Sequence, residues 1–177
     1  MSVIESKDWE QALGKMTASD GAPLAKHVRE KRSLLVFLRH FGCTFCRETL
    51  ADLQKLRAEI EAQGIQIILV HMSLHSVAKL QLAKYDLEDV LMVTDPSCNL
   101  YREFELTKGN LLQLFGPKVM IRGIKAGIID GHGVGKLEGD GWQMPGAFLV
   151  EEGHITKAYR HKTAADRVDY RDFVGLK

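Results

Sequence analysis

Residues 37–48, FLRHFGCTFCRE, hold two of the chain's three cysteines, with only Thr44 and Phe45 between Cys43 and Cys46. Two thiols three positions apart can close a disulfide when they share one side of a starting helix. They can also supply half of a zinc site, or pack as inert thiols in a core. The flanking sequence helps to choose. An apolar run, SLLVF, precedes the pair, and Leu50, Leu53, Leu56 and Ile60 follow it at spacings of three and four. That pattern predicts a buried strand leading into a helix with one buried face.

A helix start carries unpaired N–H groups and partial positive charge, so it favours a thiolate. Arg39 and Arg47 flank the motif and act the same way wherever they approach the sulfurs. Cys43, at or just before the first turn, is therefore the expected exposed nucleophile. Cys46, one turn in, is the expected resolving thiol, with Thr44 beside it in support. His40 and Glu48 are candidates to handle a proton. A zinc site needs four ligands, and neither a second CxxC nor a telling spacing among Cys98 and the seven histidines supplies them. No metal and no cofactor beyond the cysteine pair is expected.

The elements around the motif follow from periodicity and turn chemistry. KDWEQALGKM and PLAKHVREK read as two helices, with the turn cluster TASDGAP between them. Gly64 sits where a helix over 44–63 would take a left-handed C-cap. IQIILVHM and VLMVTD read as further buried strands, with a helix over 76–86 between them. A helix is expected to open at DPSCNLYREF, with Asp95 as cap and Pro96 at its first position. This βαβ alternation implies a parallel sheet with covered faces. Residues 107–144 break the rhythm with helical NLLQLF and KVMIRGIKAGI and a glycine-rich stretch. GAFLVEEGHITKAYRH then reads as a hairpin turning at Glu152-Gly153, and DYRDFVG as a short last helix.

The remaining candidates are weaker. Cys98 is either a third redox thiol or a partly packed bystander. GHGVGK fails as a phosphate loop, because Asp130 stands where glycine is needed and Leu137 where Ser or Thr is needed. It reads instead as a mobile loop near the site, with Trp142 at its end beside the cysteines. His71 and His75 straddle a strand end, which argues against a metal pair.

The 177 residues carry a net charge of +1 with no block of like charge, so neither nucleic acid nor an anionic membrane is an expected partner. MSVIESKDWE lacks the apolar core of a secretory signal. Three cysteines do not make a secreted disulfide framework, and a close CxxC in a reducing compartment points to catalysis. A cytoplasmic location is expected.

Strand–CxxC–helix, followed later by Met144-Pro145 and the hairpin, resembles the thioredoxin fold. The segments FLRHFGCTFCRE, DPSCNLYREFEL and WQMPGAFLVEEG are similar to the peroxiredoxin-like branch of the AhpC/TSA superfamily. The resemblance covers roughly residues 17 to 160. It implies an α/β fold with a central mixed sheet and helices on both faces, and a cis proline at Pro145 against the cysteines. It treats 1–177 as one domain, with 1–30 a helical extension and 107–140 an insertion. Peroxiredoxins use a Thr-x-x-Cys motif and an arginine to activate peroxide. Cys43 stands in the threonine's place here, Cys46 in that of the peroxidatic cysteine, and Pro145 in that of the arginine.

The expectation is a thiol–disulfide oxidoreductase: Cys43 attacks a substrate disulfide and Cys46 resolves it, leaving a Cys43–Cys46 disulfide. Pro145, Arg39, Arg47 and Thr44 support the pair. The alternatives are a thiol peroxidase acting on hydroperoxides and, in another class, a non-catalytic redox sensor or metal-binding module. The expected partner is a thiol/disulfide protein or a small-thiol reductant, and a homodimer is compatible with the sequence.

Overall fold

The computed structural model describes residues 7–129 and 139–176. Two helices open it, α1 (Lys7–Lys15) and α2 (Leu24–Glu30), followed by β1 (Ser33–Phe37), α3 (Thr44–Ala62) and β2 (Gln66–His71). Next come α4 (His75–Leu82) with a 3₁₀ turn over Ala83–Tyr85, β3 (Leu91–Thr94) and α5 (Asn99–Glu103). Then α6 (Leu111–Phe115) and α7 (Pro117–Ile124) lead into a π-helical turn over Lys125–Ile129. β4 (Gly146–Glu151), β5 (His154–Arg160) and α8 (Tyr170–Val174) complete the described chain.

The strands form one sheet in the order β3-β2-β1-β4-β5. β1, β2 and β3 are parallel, as the βαβ alternation requires, while β4 and β5 add antiparallel to the other edge. All five residues of β1 are buried because both faces of the central strand are covered, and this explains its unbroken apolar run. Leu34 and Val36 pack with Leu50, Leu53 and Ile60 of α3. Leu35 and Phe37 point the other way, onto Leu13, Leu24, Tyr101 and Phe104. Phe37 meets the rings of Tyr101, Phe104 and Phe148 at centroid distances of 4.9–5.5 Å. Each fully buried side chain of this size is worth about 1.5–3 kcal/mol of transfer free energy. A third, smaller cluster of Leu114, Val119, Met144, Ala164 and Ala165 ties α6 and α7 to Phe45 of the CxxC motif.

Two sequence expectations change. α5 begins at Asn99, later than expected, with Cys98 as its N-cap at φ +54°, so Pro96 is not in the helix. Asp95 still satisfies the helix start from a distance: its carboxylate accepts from the N–H groups of Asn99 (3.0 Å) and Leu100 (2.8 Å). The Met144–Pro145 peptide is trans, not cis. A trans bond leaves the neighbouring backbone groups paired. Met144 N–H donates to Thr107 C=O at 3.2 Å, and Pro145 C=O accepts from His161 N–H at 3.3 Å. Gly64 does end α3 at φ +75°, and Glu152-Gly153 turns the hairpin with both residues at positive φ. GHGVGK falls within 130–138, outside the described residues.

Candidate active site

The central strand β1 delivers the chain to the carboxyl end of the sheet, where a turn over 40–43 closes through Cys43 N–H to His40 C=O at 3.0 Å. Cys43 is the N-cap of α3, and Cys46 is the third residue of its first turn. Both thiols are free. Contrary to expectation, Cys43 is not exposed: it is 8% accessible, against 3% for Cys46. Cys43 is the more accessible of the two, in the expected order, but it is enclosed.

Arg39 explains much of the site's character. Its Nη1 donates to Cys43 Sγ at 3.5 Å, and its backbone N–H donates to Cys46 Sγ at 3.3 Å. Its Nε donates to the carbonyl of Gln143 at 3.1 Å, and its Nη2 to that of Gly141. A buried guanidinium is thus held by neutral carbonyls and a sulfur, with its charge directed at Cys43. The Cys43 thiol is pushed down to about 6: the adjoining Cys46 thiol donates to it, Arg39 attracts its charge, and the N–H groups of Cys46 and Phe45 face it. In the thiol form the sulfur closes no regular capping bond, so these amides serve mainly the anion. Burial opposes the shift and is outweighed. Cys46 moves far upward, because it is the donor to Cys43, is buried, and faces the Cys43 charge. Of the two thiols, Cys43 is therefore the one eased toward the anion and Cys46 the one that keeps its proton.

The other expected residues are distributed around this pair. Arg47 turns back to Phe41 C=O at 2.9 Å and braces the 40–43 turn. Thr44 is buried where the π-helical turn passes, so that a side chain at Gly127 would meet its methyl at 3.7 Å. Glu48 is occupied by Arg122 at 2.8 Å and Arg167 at 3.4 Å, which removes it as a proton carrier. Burial and the Arg39 charge press His40 down to about 4, so it is neutral near pH 7 and a weak base. Trp142 does not pack beside the cysteines; its ring meets Phe115 edge-on at 6.3 Å and is partly exposed. The strap that carries it reaches the site through its backbone carbonyls instead. Cys98 is 7% accessible with its sulfur 3.3 Å from that of Met72, and burial and the Asp95 charge raise its thiol.

Pro145 lines a cavity of about 10 Å³ together with Arg39, Phe45, Cys46, His161 and Tyr170. That space is at most the room of one water. Two wider grooves, between α1 and α5 and between α3 and α8, have no cysteine in their walls. Two contributors were not legible in the sequence. Gln143 is buried, and its amide donates to Leu106 C=O at 2.6 Å, which fixes the carbonyl that Arg39 uses. His161 contributes a half-buried imidazole, lowered to about 4 by burial, whose buried Nδ1 has no partner among the described residues. Both lie about a hundred positions from the motif, and no local pattern marks them. Among the described residues no group of three or more His, Cys, Asp or Glu could hold a metal, and no helix is long and apolar enough to cross a membrane.

Residues 52–165 match the family model described as AhpC/TSA antioxidant enzyme, a segment that begins after both cysteines. The chain is 28% identical over 159 residues to peroxiredoxin-like 2A of Mus musculus, covering 82% of this chain and 66% of that one. It is 37% identical over 68 residues to a prostamide/prostaglandin F synthase of Salmo salar, covering 38% of this chain and 34% of that one. The chain thus spans between a third and two thirds of the length of these curated relatives. Among solved structures it is similar to the Xanthomonas campestris bacterioferritin comigratory protein, studied for alkyl peroxide reduction. The TM-score there is 0.64 at 16% identity, over 93% of this chain and 90% of that one. Reduced Prx3 of Vibrio vulnificus, solved with hydrogen peroxide, gives 0.65 at 13% identity over 93% and 94%. These likenesses establish the thioredoxin-like, peroxiredoxin-type fold.

Proposed function

Since the chain belongs to the AhpC/TSA antioxidant enzyme family, in which a reactive thiol does the chemistry, we propose that it is a thiol peroxidase with Cys43 as the attacking sulfur. The observation that carries this reading is the enclosed Cys43 thiolate with Arg39 on it and Cys46 behind it. A nucleophile only 8% accessible suits the end of a hydroperoxide better than a protein disulfide, and the small cavity nearby is walled by Arg39 and Cys46. Arg39 supplies the cation that the family's missing arginine would have supplied.

In the forward step the Cys43 thiolate attacks the terminal oxygen of ROOH. The O–O bond breaks, the sulfur becomes sulfenic acid, and the alkoxide leaves as ROH after taking a proton from water. Cys46 then attacks the sulfenic sulfur, water leaves, and a Cys43–Cys46 disulfide forms. A thiol/disulfide protein or a small-thiol reductant returns two electrons and two protons. Pro145 and Thr44 shape the enclosure, and Arg47 holds the turn. The same reading takes residues 1–177 as one domain, with 1–30 added and 107–140 inserted, and places it in the reducing cytoplasm.

The test is the rate of hydrogen peroxide consumption by the reduced protein, with peptide mass spectrometry to find the first oxidised sulfur. A rate well above that of a free thiol, with Cys43 oxidised first, supports the proposal. A free thiol's rate sinks it and leaves dithiol–disulfide exchange, which Cys43 in the threonine's place favours. First oxidation at Cys46 would keep the peroxidase but reverse the roles.

A further inference from the structure

The segment 107–129 differs from the rest of the surface. Leu114 and Val119 turn inward to the small third core, while Leu111, Leu112 and Phe115 of α6 and Met120, Ile121 and Ile124 of α7 are all more than half exposed. Ile128 of the π-helical turn continues the exposed apolar face. An apolar surface of this kind marks an interaction site. The segment also contains four basic residues and no Asp or Glu. Lys108 pairs with Asp140 at 2.7 Å and Arg122 with Glu48 at 2.8 Å. Lys118 and Lys125 are exposed and meet no carboxylate among the described residues. Lys118, Ile121 and Lys125, at i, i+3 and i+7, alternate cation and alkyl along α7 and into the turn after it.

We propose that α6, α7 and the turn after them dock peripherally on an anionic lipid surface. Alkyl side chains, with Lys118 and Lys125 among them meeting no carboxylate among the described residues, fit an apolar boundary beneath negative headgroups. A second copy of the chain fits poorly, because a two-fold contact would set Lys118 and Lys125 against like charges. The whole-chain charge of +1 conceals this feature: the acids that balance the total lie outside the segment. The docking face adjoins the thiol site. A side chain at Gly123 would meet the Phe45 ring at 3.6 Å, and Arg122 lies 5.3 Å over that ring. A docked molecule therefore holds the start of α3 close to the lipid. The inference stands on this surface and does not depend on which substrate Cys43 attacks.

The test is cosedimentation of the full chain with vesicles of phosphatidylcholine alone, or of equal parts phosphatidylcholine and phosphatidylglycerol. Binding to the mixed vesicles, weak on the neutral ones and weakened by salt, is the expected result. The double variant Lys118→Glu/Lys125→Glu should lose roughly tenfold or more of that binding, and Ile121→Glu/Ile124→Glu should lose it as well. All four side chains are exposed, and an unchanged melting temperature for each variant confirms folding. The wild type failing to sediment with the mixed vesicles would overturn the proposal, as would binding indifferent to both variants. A dimer abolished by Ile121→Glu/Ile124→Glu, with no vesicle binding, would assign the face to a second copy instead.

Discussion

Cys43 and Cys98 occupy the same kind of place. Each is the N-cap of a helix that follows a parallel strand, and each is less than a tenth accessible. Their thiols are nevertheless displaced in opposite directions. At α5 the Asp95 carboxylate takes the free N–H groups of Asn99 and Leu100, so a negative charge sits where a thiolate would form. The Cys98 sulfur is left against a thioether. At α3 no carboxylate claims the first turn, and Arg39 and the Cys46 thiol both face the sulfur. A helix start alone does not make a reactive cysteine; what matters is which group takes its amides and which charge stands nearby.

The comparison breaks most sharply at the sulfurs themselves. Cys43→Ser should lower peroxide consumption by roughly a thousandfold or more, as removal of a nucleophile does elsewhere, whereas Cys98→Ser should leave it within about twofold. Stopped-flow peroxide assays on the two variants measure both. The next effect belongs to the charge. Activity should rise with pH as Cys43 ionises around 6 and then level off, because the reacting form is the thiolate. Arg39→Met should move that rise upward and slow the reaction about tenfold to a hundredfold, the worth of one charge-assisted hydrogen bond. Ultraviolet thiolate absorbance against pH reads the shift directly.

Two weaker effects sharpen the contrast. Both strand exits carry a buried neutral histidine: His40 ahead of Cys43, and His71 next to Met72, the partner of Cys98. Each is lowered to about 4, from about 6.5 in the unfolded chain. Between those values the unfolded state binds more protons, so stability falls as pH drops from about 6.5 to 4, by roughly 1 kcal/mol per pH unit for each group. Denaturant titrations across this window should show the slope, and His71→Phe should reduce it. The smallest effect is expected at Asp95→Asn. Losing the charge at the α5 start should cost about 1 kcal/mol and lower the Cys98 pKa, seen as faster alkylation in mild denaturant.

The strands, α3 and the hairpin were legible because their patterns are local. Leu50, Leu53 and Ile60 declare a helix face, and Glu152-Gly153 declares a turn. The helix start near Asp95 was legible as a capped start but not in its placement, since a carboxylate can reach amides four and five residues on as well as its neighbours'. The cysteine pair was also legible, and so was the direction of the Cys43 shift. Its burial was not, and Arg39, which reaches it, is anchored by backbone carbonyls of a distant strap. A carbonyl has no letter in the sequence. Charge patterning failed for a related reason: the total of +1 averaged away the acid-free segment over α6 and α7.

Arg39 has one further consequence, in the energetics of electron transfer. In the proposed cycle it neutralises the reduced pair only while Cys43 is an anion; once the two sulfurs were joined, its charge would remain buried with carbonyls alone to solvate it. The reduced form is thus stabilised relative to the oxidised one, which raises the reduction potential of the couple, with about 30 mV corresponding to each tenfold in the exchange equilibrium. A disulfide poised in this way accepts electrons readily even from an ordinary small thiol. The residue that sharpens Cys43 for attack therefore also favours its return to the reduced state.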